Sequence, residues 1–204
     1  MGKNTAAHLT AFLTILIWGT TFIATKVLLR DFTPVEILFS RFTLGFLALS
    51  CVPGGIHFTT FRNELLFAGA GFSGVTLYFL FENIALQYTL VSNVGILVTI
   101  APFFTALLSR FFGKKEPLYP AFFIGFLLAL GGIALISFNG SVILKLNPAG
   151  DILAILAALV WAVYSIFMKR IGELGYPMIP ATRRVFFYGL LLMIPALFFM
   201  DFHP

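Results

Sequence analysis

Blocks of about 20 consecutive apolar residues recur along nearly the whole chain, and they constrain its fold more than any other feature. An α-helix rises 1.5 Å per residue, so each block has the length needed to cross roughly 30 Å of hydrocarbon. Of the 204 residues, 60% are hydrophobic and only 10% are charged. An average soluble domain has about 25% charged residues. No soluble fold of this size could bury so much apolar surface, so we expect a membrane protein.

The apolar blocks predict transmembrane helices. Strands of a membrane barrel would alternate apolar and polar residues over about ten positions, and these blocks do not alternate. Short connectors with turn-forming residues, such as Pro53-Gly54, separate them. We predict an all-α polytopic membrane protein. Its seven predicted spans are residues 9–29, 34–52, 65–86, 91–112, 118–138, 152–171 and 179–200.

Charges are sparse and lie mostly between the apolar blocks. The 13 Lys and Arg residues outnumber the 8 Asp and Glu residues, but they form no run or stripe of the kind that binds nucleic acid. With the amino terminus inside, seven basic residues lie near span ends on the inner side and three on the outer side. Cytoplasmic loops carry such an excess. We expect a cytoplasmic amino terminus in a bacterial or archaeal cell (inner) membrane, with the lipid bilayer as partner and no nucleic acid.

Signals for catalysis, metals and nucleotides are weak. Cys51 is the only cysteine, and the chain has no Gly-x-x-x-x-Gly-Lys-Ser/Thr phosphate loop. The string Gly71-Phe72-Ser73-Gly74 matches one found in rhomboid-type proteases, but a nucleophilic serine needs a base within reach. The histidines lie at a span edge, in a loop and at the terminus, as His8, His57 and His203. We expect no enzyme, cofactor or metal site, and interpret the small residues as close helix packing.

An internal repeat is the most informative pattern. Four pairs of matching residues share a spacing of 143: Trp18 and Trp161, Lys26 and Lys169, Pro34 and Pro177, and Arg41 and Arg184. Chance explains matches of Leu or Ala between apolar helices, but not Trp, Lys and Arg in register, so we infer a duplication. The first copy has an odd number of predicted spans, which places the second copy in the membrane upside down. Inverted repeats are typical of transporters, whose halves alternately open a midplane site to either side.

The repeat predicts two domains. Residues 1–143 form a first repeat of five transmembrane helices, and residues 150–204 start a second, inverted repeat with two. A second repeat as long as the first would need roughly 90 more residues. We therefore expect a 5+5 inverted-repeat architecture with about seven of ten helices present, truncated at the carboxyl end and with half of the cavity to be supplied from elsewhere.

Loose motifs across nearly the whole chain carry a family resemblance. They are Trp18-Gly19 with Phe22 and Lys26, Pro34 with Arg41, Leu77-Tyr78-Phe79-Leu80, Ala85-Leu86-Gln87-Tyr88-Thr89, Ile100-Ala101-Pro102, and Gly125 with Gly131-Gly132. Together they resemble the EamA-type family of the drug/metabolite transporter superfamily, which consists of ten-helix carriers. The resemblance implies secondary-active export or exchange of a small metabolite, amino acid or drug, without naming it. The turn Gly113-Lys114-Lys115-Glu116 departs from the family pattern, in which Gly directly precedes Glu.

Polar and aromatic residues within the spans are candidates for a solute site near the midplane. The predicted substrate-binding residues are Trp18, Tyr78, Asn83, Asn93, Trp161 and Tyr164. Helix packing and interhelical hydrogen bonds account for these residue types equally well, so both interpretations stay open. Pro102 is predicted to kink the fourth span, because it cannot donate a backbone hydrogen bond. Lys26 and Lys169 close their spans and are expected to extend to the headgroups.

Arg41 and Glu82 are ionisable residues inside predicted spans. A charge there is costly, by about 2.5 to 3.5 kcal/mol on insertion scales, and usually faces a partner or an aqueous cavity. The helical rise puts Arg41 roughly 10 Å below the outer surface and Glu82 at nearly the same level. We predict that they interact or take part in ion coupling, the alternative being that each extends separately to the outer interface.

Two functional hypotheses follow. The first is a secondary carrier that moves a small-molecule substrate through a midplane cavity. The second is a non-transporting fragment or a helical interaction subunit of the membrane. Homodimerisation is compatible with either.

Exchanging the two charges tests the predicted interaction. Arg41→Glu and Glu82→Arg are each expected to lower membrane expression or transport, because each leaves like charges facing one another in a medium of low dielectric constant. The double variant should recover part of the loss, measured as inserted protein and solute flux. A double variant as defective as the single ones would contradict the pairing.

Overall fold

The computed structural model describes residues 3–54, 58–112, 119–137 and 147–200. Within these ranges the chain is helical and contains no strand. The helices are α1 (Lys3–Leu28), α2 (Pro34–Ser50), α3 (Phe61–Tyr88), α4 (Val91–Phe112), α5 (Pro120–Ser137), α6 (Pro148–Glu173) and α7 (Met178–Phe199). The predicted turn at residues 113–116 lies outside the described residues.

The seven helices lie at the seven predicted spans. Five of them, α1, α3, α4, α6 and α7, are long and apolar enough to cross a membrane. Helix α2 has 17 residues, which corresponds to about 26 Å and falls slightly short of the hydrocarbon thickness. The apolar stretch Pro120–Gly132 of α5 is shorter still. The prediction of an all-α polytopic membrane protein is confirmed.

The start of α2 is fixed by a reciprocal cap followed by a proline. The backbone N–H of Thr33 donates to Glu36 Oε2 at 2.7 Å, and the N–H of Glu36 donates to Thr33 Oγ1 at 3.4 Å. This reciprocal cap satisfies two backbone donors, and Pro34 suits the first helical turn because its N–H would have no partner there. Pro177, its equivalent in the predicted repeat, occupies the position just before α7 and makes no side-chain capping hydrogen bond there.

Helix α3 packs against both α6 and α7 through a glycine-rich segment at its centre. Residues Gly71–Leu77 are π-helical and join the α-helical stretches Phe61–Ala70 and Tyr78–Tyr88. A Cβ atom on Gly71 would lie 2.6 Å from the backbone N of Gly189 and from the backbone O of Val185. Glycine is therefore required for the backbones of α3 and α7 to approach so closely.

Polar side chains reinforce the same contact. Thr76 Oγ1 donates to the backbone O of Gly189 at 2.9 Å, so α3 and α7 are also joined by a hydrogen bond. Ser73 Oγ donates to the backbone O of Gly69 at 2.6 Å, within α3 itself. The predicted role of this small-residue string in close helix packing is confirmed.

Helix α1 packs loosely, and most of its side chains are exposed. Its carboxyl-terminal part contacts the molecule: Phe22 and Leu29 pack against a buried cluster that includes Leu86 of α3, Val94 of α4 and Ala154 of α6. The exposed apolar surface of α1 suits contact with lipid chains or with another helix.

Replacing Gly71 by alanine is expected to destabilise the fold. Backbone atoms cannot move aside for the added methyl group, and such overpacking costs about 1 to 3 kcal/mol. Gly71→Ala should lower the midpoint of thermal unfolding in detergent.

Gly95 of α4 provides the matched control, because a Cβ there would meet nothing within 4 Å. Gly95→Ala should leave the midpoint unchanged or raise it slightly, since alanine favours helix. Equal midpoints for the two variants would contradict the assigned role of Gly71.

Candidate functional site

Four of the six predicted substrate-binding residues form one aromatic cluster. The ring centroids of Trp18 in α1 and Trp161 in α6 are 5.5 Å apart. Tyr78 of α3 lies 4.7 Å from Trp161, and Tyr164 lies 5.0 Å from Trp161. Such separations are typical of direct contact between aromatic rings. The cluster thus joins three helices from the two predicted repeats.

The cluster runs from the interior of the protein to its surface. Tyr78 is fully buried, Trp161 and Tyr164 are partly buried, and Trp18 is 39% exposed. Gly74 allows this arrangement, because a Cβ atom there would overlap the Tyr164 ring. Aromatic rings that combine an apolar face with a polar edge suit the binding of small organic molecules.

A charged group adjoins the buried end of the cluster. Tyr78 and Glu82 are one helical turn apart on the same face of α3, and Arg41 reaches them from α2. The Arg41 guanidinium is 4.3 Å from the Phe79 ring centroid and lies near the Glu82 carboxylate. The charged atoms of Arg41 and Glu82 form no ion pair within 4 Å. The structure brings the two together without direct contact.

Several polar atoms of this group have no hydrogen-bond partner within the described part of the chain. They are Arg41 Nη2, Tyr78 Oη, Glu82 Oε2 and Asn83 Oδ1, of which the Tyr78 hydroxyl and the Glu82 carboxylate lie close enough to interact with each other. A buried polar atom without a partner costs roughly 1 to 3 kcal/mol. Unpartnered buried groups of this kind call for a ligand, an ion or water.

Asn83 and Asn93 make hydrogen bonds that hold helices together. Asn83 Nδ2 donates to the backbone O of Pro34 at 3.2 Å, joining α3 to the start of α2. Asn93 Nδ2 donates to Thr89 Oγ1 at 3.2 Å, and that hydroxyl donates to Asp151 Oδ1 at 3.0 Å. The second chain of contacts connects the α3–α4 junction to the first turn of α6.

Lys26 occupies a position that the sequence prediction missed. Its Nζ donates to the backbone O of Leu86, and to that of Thr89 at 3.2 Å. These carbonyls lie at the end of α3, where helical carbonyls lack partners and favour a cation. The extension of Lys26 to the headgroups stays a prediction, and the structure adds this contact with the end of α3. Its repeat equivalent, Lys169, is exposed.

Pro102 lies next to a break in α4. The α-helical pattern is interrupted at Thr99 and Ile100, between the stretches Val91–Val98 and Ala101–Phe112. Proline cannot donate to the carbonyl four residues earlier, which accounts for the position of the break. The side chain of Pro102 is exposed and does not belong to the cluster.

A second polar cluster, which the sequence analysis did not identify, lies at the other end of α3. Arg184 Nη1 is 3.4 Å from Glu64 Oε1, and Tyr188 Oη donates to Glu64 Oε2 at 2.7 Å. The only sequence signal was the repeat, in which Arg184 is the equivalent of Arg41. The neighbouring Arg183 donates to the backbone O of Leu49 at 2.5 Å and of Val52 at 2.6 Å, at the end of α2.

Metal-ligating side chains do not cluster in the described ranges, where no three His, Cys, Asp or Glu residues come together. The aromatic rings and polar side chains at the cluster can stack, form hydrogen bonds and interact with charges.

A family model described as the EamA-like transporter family matches residues 5–138. The chain belongs to the EamA-like transporter family. As a member of the drug/metabolite transporter superfamily, it is a membrane protein of a transporter type. Helices α2 to α5, and all of α1 except its first two residues, fall within the matched residues.

Relatives of this EamA-family chain are named as transporters. An uncharacterized transporter of Archaeoglobus fulgidus is 30% identical over 197 residues, covering 94% of this chain and 67% of the relative. The uncharacterized transporter YdfC of Bacillus subtilis is 27% identical over 190 residues, covering 91% of this chain and 61% of the relative. The chain therefore spans about two thirds or less of the length of these relatives.

A solved crystal structure shares the fold of this EamA-family chain. It aligns with a TM-score of 0.67 at 23% sequence identity, covering 98% of this chain and 69% of the other. Seven helices of the present chain thus match about two thirds of a longer, known fold.

Proposed function

We propose that the aromatic cluster and the adjoining charged group bind a small organic solute during secondary-active transport, by export or exchange. The observation that carries this proposal is the contact of Trp18 with Trp161 beside the buried polar side chains of Tyr78 and Glu82 and the nearby Arg41 guanidinium. A metabolite, an amino acid or a drug would each offer the apolar and polar groups that such a site requires. This chemistry needs no enzyme activity and no cofactor.

The contact between the two tryptophans supports a midplane location. Trp18 and Trp161 are equivalent positions of the proposed inverted repeat, and their rings touch. Equivalent residues that contact each other lie on the axis relating the two copies, as in any twofold arrangement. In inverted-repeat transporters this axis lies in the membrane plane, and solutes bind near it at the repeat interface.

Glu82 is the proposed coupling residue. It is 3% exposed, one turn from Tyr78, and within electrostatic range of Arg41. A buried carboxyl group that gains or loses a proton changes the charge beside the aromatic cluster, and carboxyl groups serve as proton relays in transporters. Proton coupling or exchange for a counter-solute would both use this position. The amino terminus is proposed to be cytoplasmic, in a cell membrane.

A second candidate function rests on the length of the relatives. The chain spans 67% and 61% of the length of two of them. In this alternative the chain does not transport a solute by itself. It is either a non-transporting fragment or a helical interaction subunit of the membrane. Solute binding without net flux would favour this alternative. The predicted homodimer stays a prediction.

Tryptophan fluorescence tests solute binding directly, because both tryptophans of the chain lie in the cluster. Protein in lipid nanodiscs is titrated with amino acids, aromatic amines, organic cations and nucleosides. At least one class should change the emission saturably. Calorimetry then measures the affinity of the variants for that solute. Trp161→Ala should bind it at least roughly tenfold more weakly, because a central aromatic contact is lost.

Phe198→Leu is the matched control, since Phe198 is 82% exposed at the end of α7, and it should bind as the wild type does. The proposal fails if no solute class alters the emission, or if Trp161→Ala binds as tightly as the control.

Glu82→Gln tests coupling. In proteoliposomes with an imposed pH gradient, solute flux by the wild type should depend on the gradient, and flux by Glu82→Gln should not, because the amide cannot exchange a proton. Glu173→Gln, at an exposed site, should keep the dependence. Flux through Glu82→Gln that still follows the gradient would exclude Glu82 as the coupling group.

A further inference from the structure

The carboxyl-terminal end of α3 is a point to which two other helices are tied. Helix α3 ends at Tyr88, and Thr89 follows in an extended conformation, with φ −127° and ψ 177°. The last carbonyls of a helix lack intrahelical partners and carry a partial negative charge. In this protein the carbonyls of Leu86, Tyr88 and Thr89 accept hydrogen bonds from side chains outside α3. These side chains belong to α1 and to the residue that precedes α6.

Helix α1 is tied to this end through Lys26. Its Nζ donates to the backbone O of Leu86, and to that of Thr89 at 3.2 Å. The lysine side chain is half-buried, and a cation is favourable beside helix-end carbonyls. Trp18, Phe22 and Lys26 follow one another at intervals of four residues, so they share one face of α1. Phe22 packs against the buried cluster that contains Leu86, so this face of α1 is directed to α3.

Helix α6 is tied to the same end through its first turn. Asn147 Nδ2 donates to the backbone O of Tyr88 at 2.8 Å, and Asp151 Oδ1 accepts from Thr89 Oγ1 at 3.0 Å. A Cβ atom on Gly150 would lie 2.9 Å from the Cβ of Thr89 and 3.0 Å from that of Tyr88. A glycine at the start of α6 thus lets its backbone come close to the end of α3.

The shared tie accounts for the level at which the aromatic rings meet. Trp18 lies eight residues before Lys26, and Trp161 lies ten residues after Asp151. Tyr78 begins the last 11 residues of α3. All three aromatic residues thus lie roughly 12 to 16 Å from the tied end along their own helices. Without the tie on α1, nothing at the end of α3 would fix the level of Trp18 against Trp161.

We propose that Lys26 is a positioning residue of the solute site: by binding the carbonyl end of α3, it holds α1 where Trp18 contacts Trp161. Lys26 acts through Trp18 and does not touch the solute. Its effect on solute binding rests on the proposed function, whereas its effect on the position of Trp18 can be measured without any solute.

Circular dichroism in lipid nanodiscs measures the contact of the tryptophans. The chain has two tryptophans, and two indole rings in contact couple their electronic transitions and give paired bands of opposite sign, an exciton couplet. Subtracting the spectrum of Trp18→Phe from that of the wild type separates the couplet from the helical signal. The same subtraction in a Lys26→Gln background should lose most of the couplet, because it weakens steeply as the rings part. Lys26→Arg, which keeps a cation, should retain it.

A double-variant cycle tests whether Lys26 acts on solute binding through Trp18. The probe is whichever of the amino acids, aromatic amines, organic cations or nucleosides binds the wild type in the fluorescence titration, and calorimetry measures its affinity. Lys26→Gln and Trp18→Ala should each weaken binding roughly tenfold. The double variant should bind no more weakly than Trp18→Ala, because two changes that act through one contact are not additive. Lys26→Arg should restore the affinity.

Lys169→Gln is the matched control, because Lys169 is the equivalent of Lys26 in the predicted repeat and is exposed. It should keep both the couplet and the affinity. Thermal unfolding establishes that each variant is folded. Lys26→Met, which keeps the length of the side chain, replaces Lys26→Gln in every comparison if the glutamine variant does not fold.

A couplet that persists in the folded Lys26 variant would overturn the proposal, as would a couplet that Lys169→Gln loses to the same extent. Additive losses of affinity in the cycle would also overturn it, since Lys26 would then act independently of Trp18. If no solute binds while the couplet depends on Lys26, the proposed function fails and the positioning of Trp18 stands. If a solute binds while the couplet ignores Lys26, the proposed function stands and this inference fails.

Discussion

The close approach of the centre of α3 to α6 and α7 is the contact on which the rest of the structure depends. Lipid chains are as apolar as leucine, so membrane helices associate through tight packing and hydrogen bonds. Gly71 and Gly74 permit that packing, and Thr76 adds a hydrogen bond to Gly189. With α6 held there, Trp161 meets Tyr78 on α3 and Trp18 on α1. The aromatic cluster is thus a consequence of where the glycines lie.

The features that could be predicted from the sequence are those that depend on one helix at a time or on rare residue types. Apolar runs predict spans because length alone decides whether a helix crosses the bilayer. The position of Pro34 predicts the start of α2 because proline suits the first helical turn. The shared spacing identified Trp18 and Trp161 as a related pair, since tryptophan is rare enough for a repeated position to be informative. Their contact is seen only in the structure.

What the sequence did not predict depends on which helices are neighbours. The depth of each residue along its span predicted that Arg41 and Glu82 lie at one level, and the structure places them near each other. Depth alone could not show that Lys26 faces the carbonyl end of α3. For the same reason the pair of Glu64 with Arg184 was missed. Both contacts join helices far apart in sequence. The π-helical turn at Gly71–Leu77 likewise arises from packing against two partners.

Equivalent positions of a repeat share a place in their helices, yet their surroundings differ wherever their neighbours differ. Arg184 Nη1 lies 3.4 Å from Glu64 Oε1, whereas the Arg41 guanidinium lies over the Phe79 ring at one side of an open groove between α1 and α2. Lys26 meets a helix end, whereas Lys169 is exposed. The spacing of the sequence therefore identifies candidate equivalent positions, while the neighbouring helices decide what each of those side chains contacts.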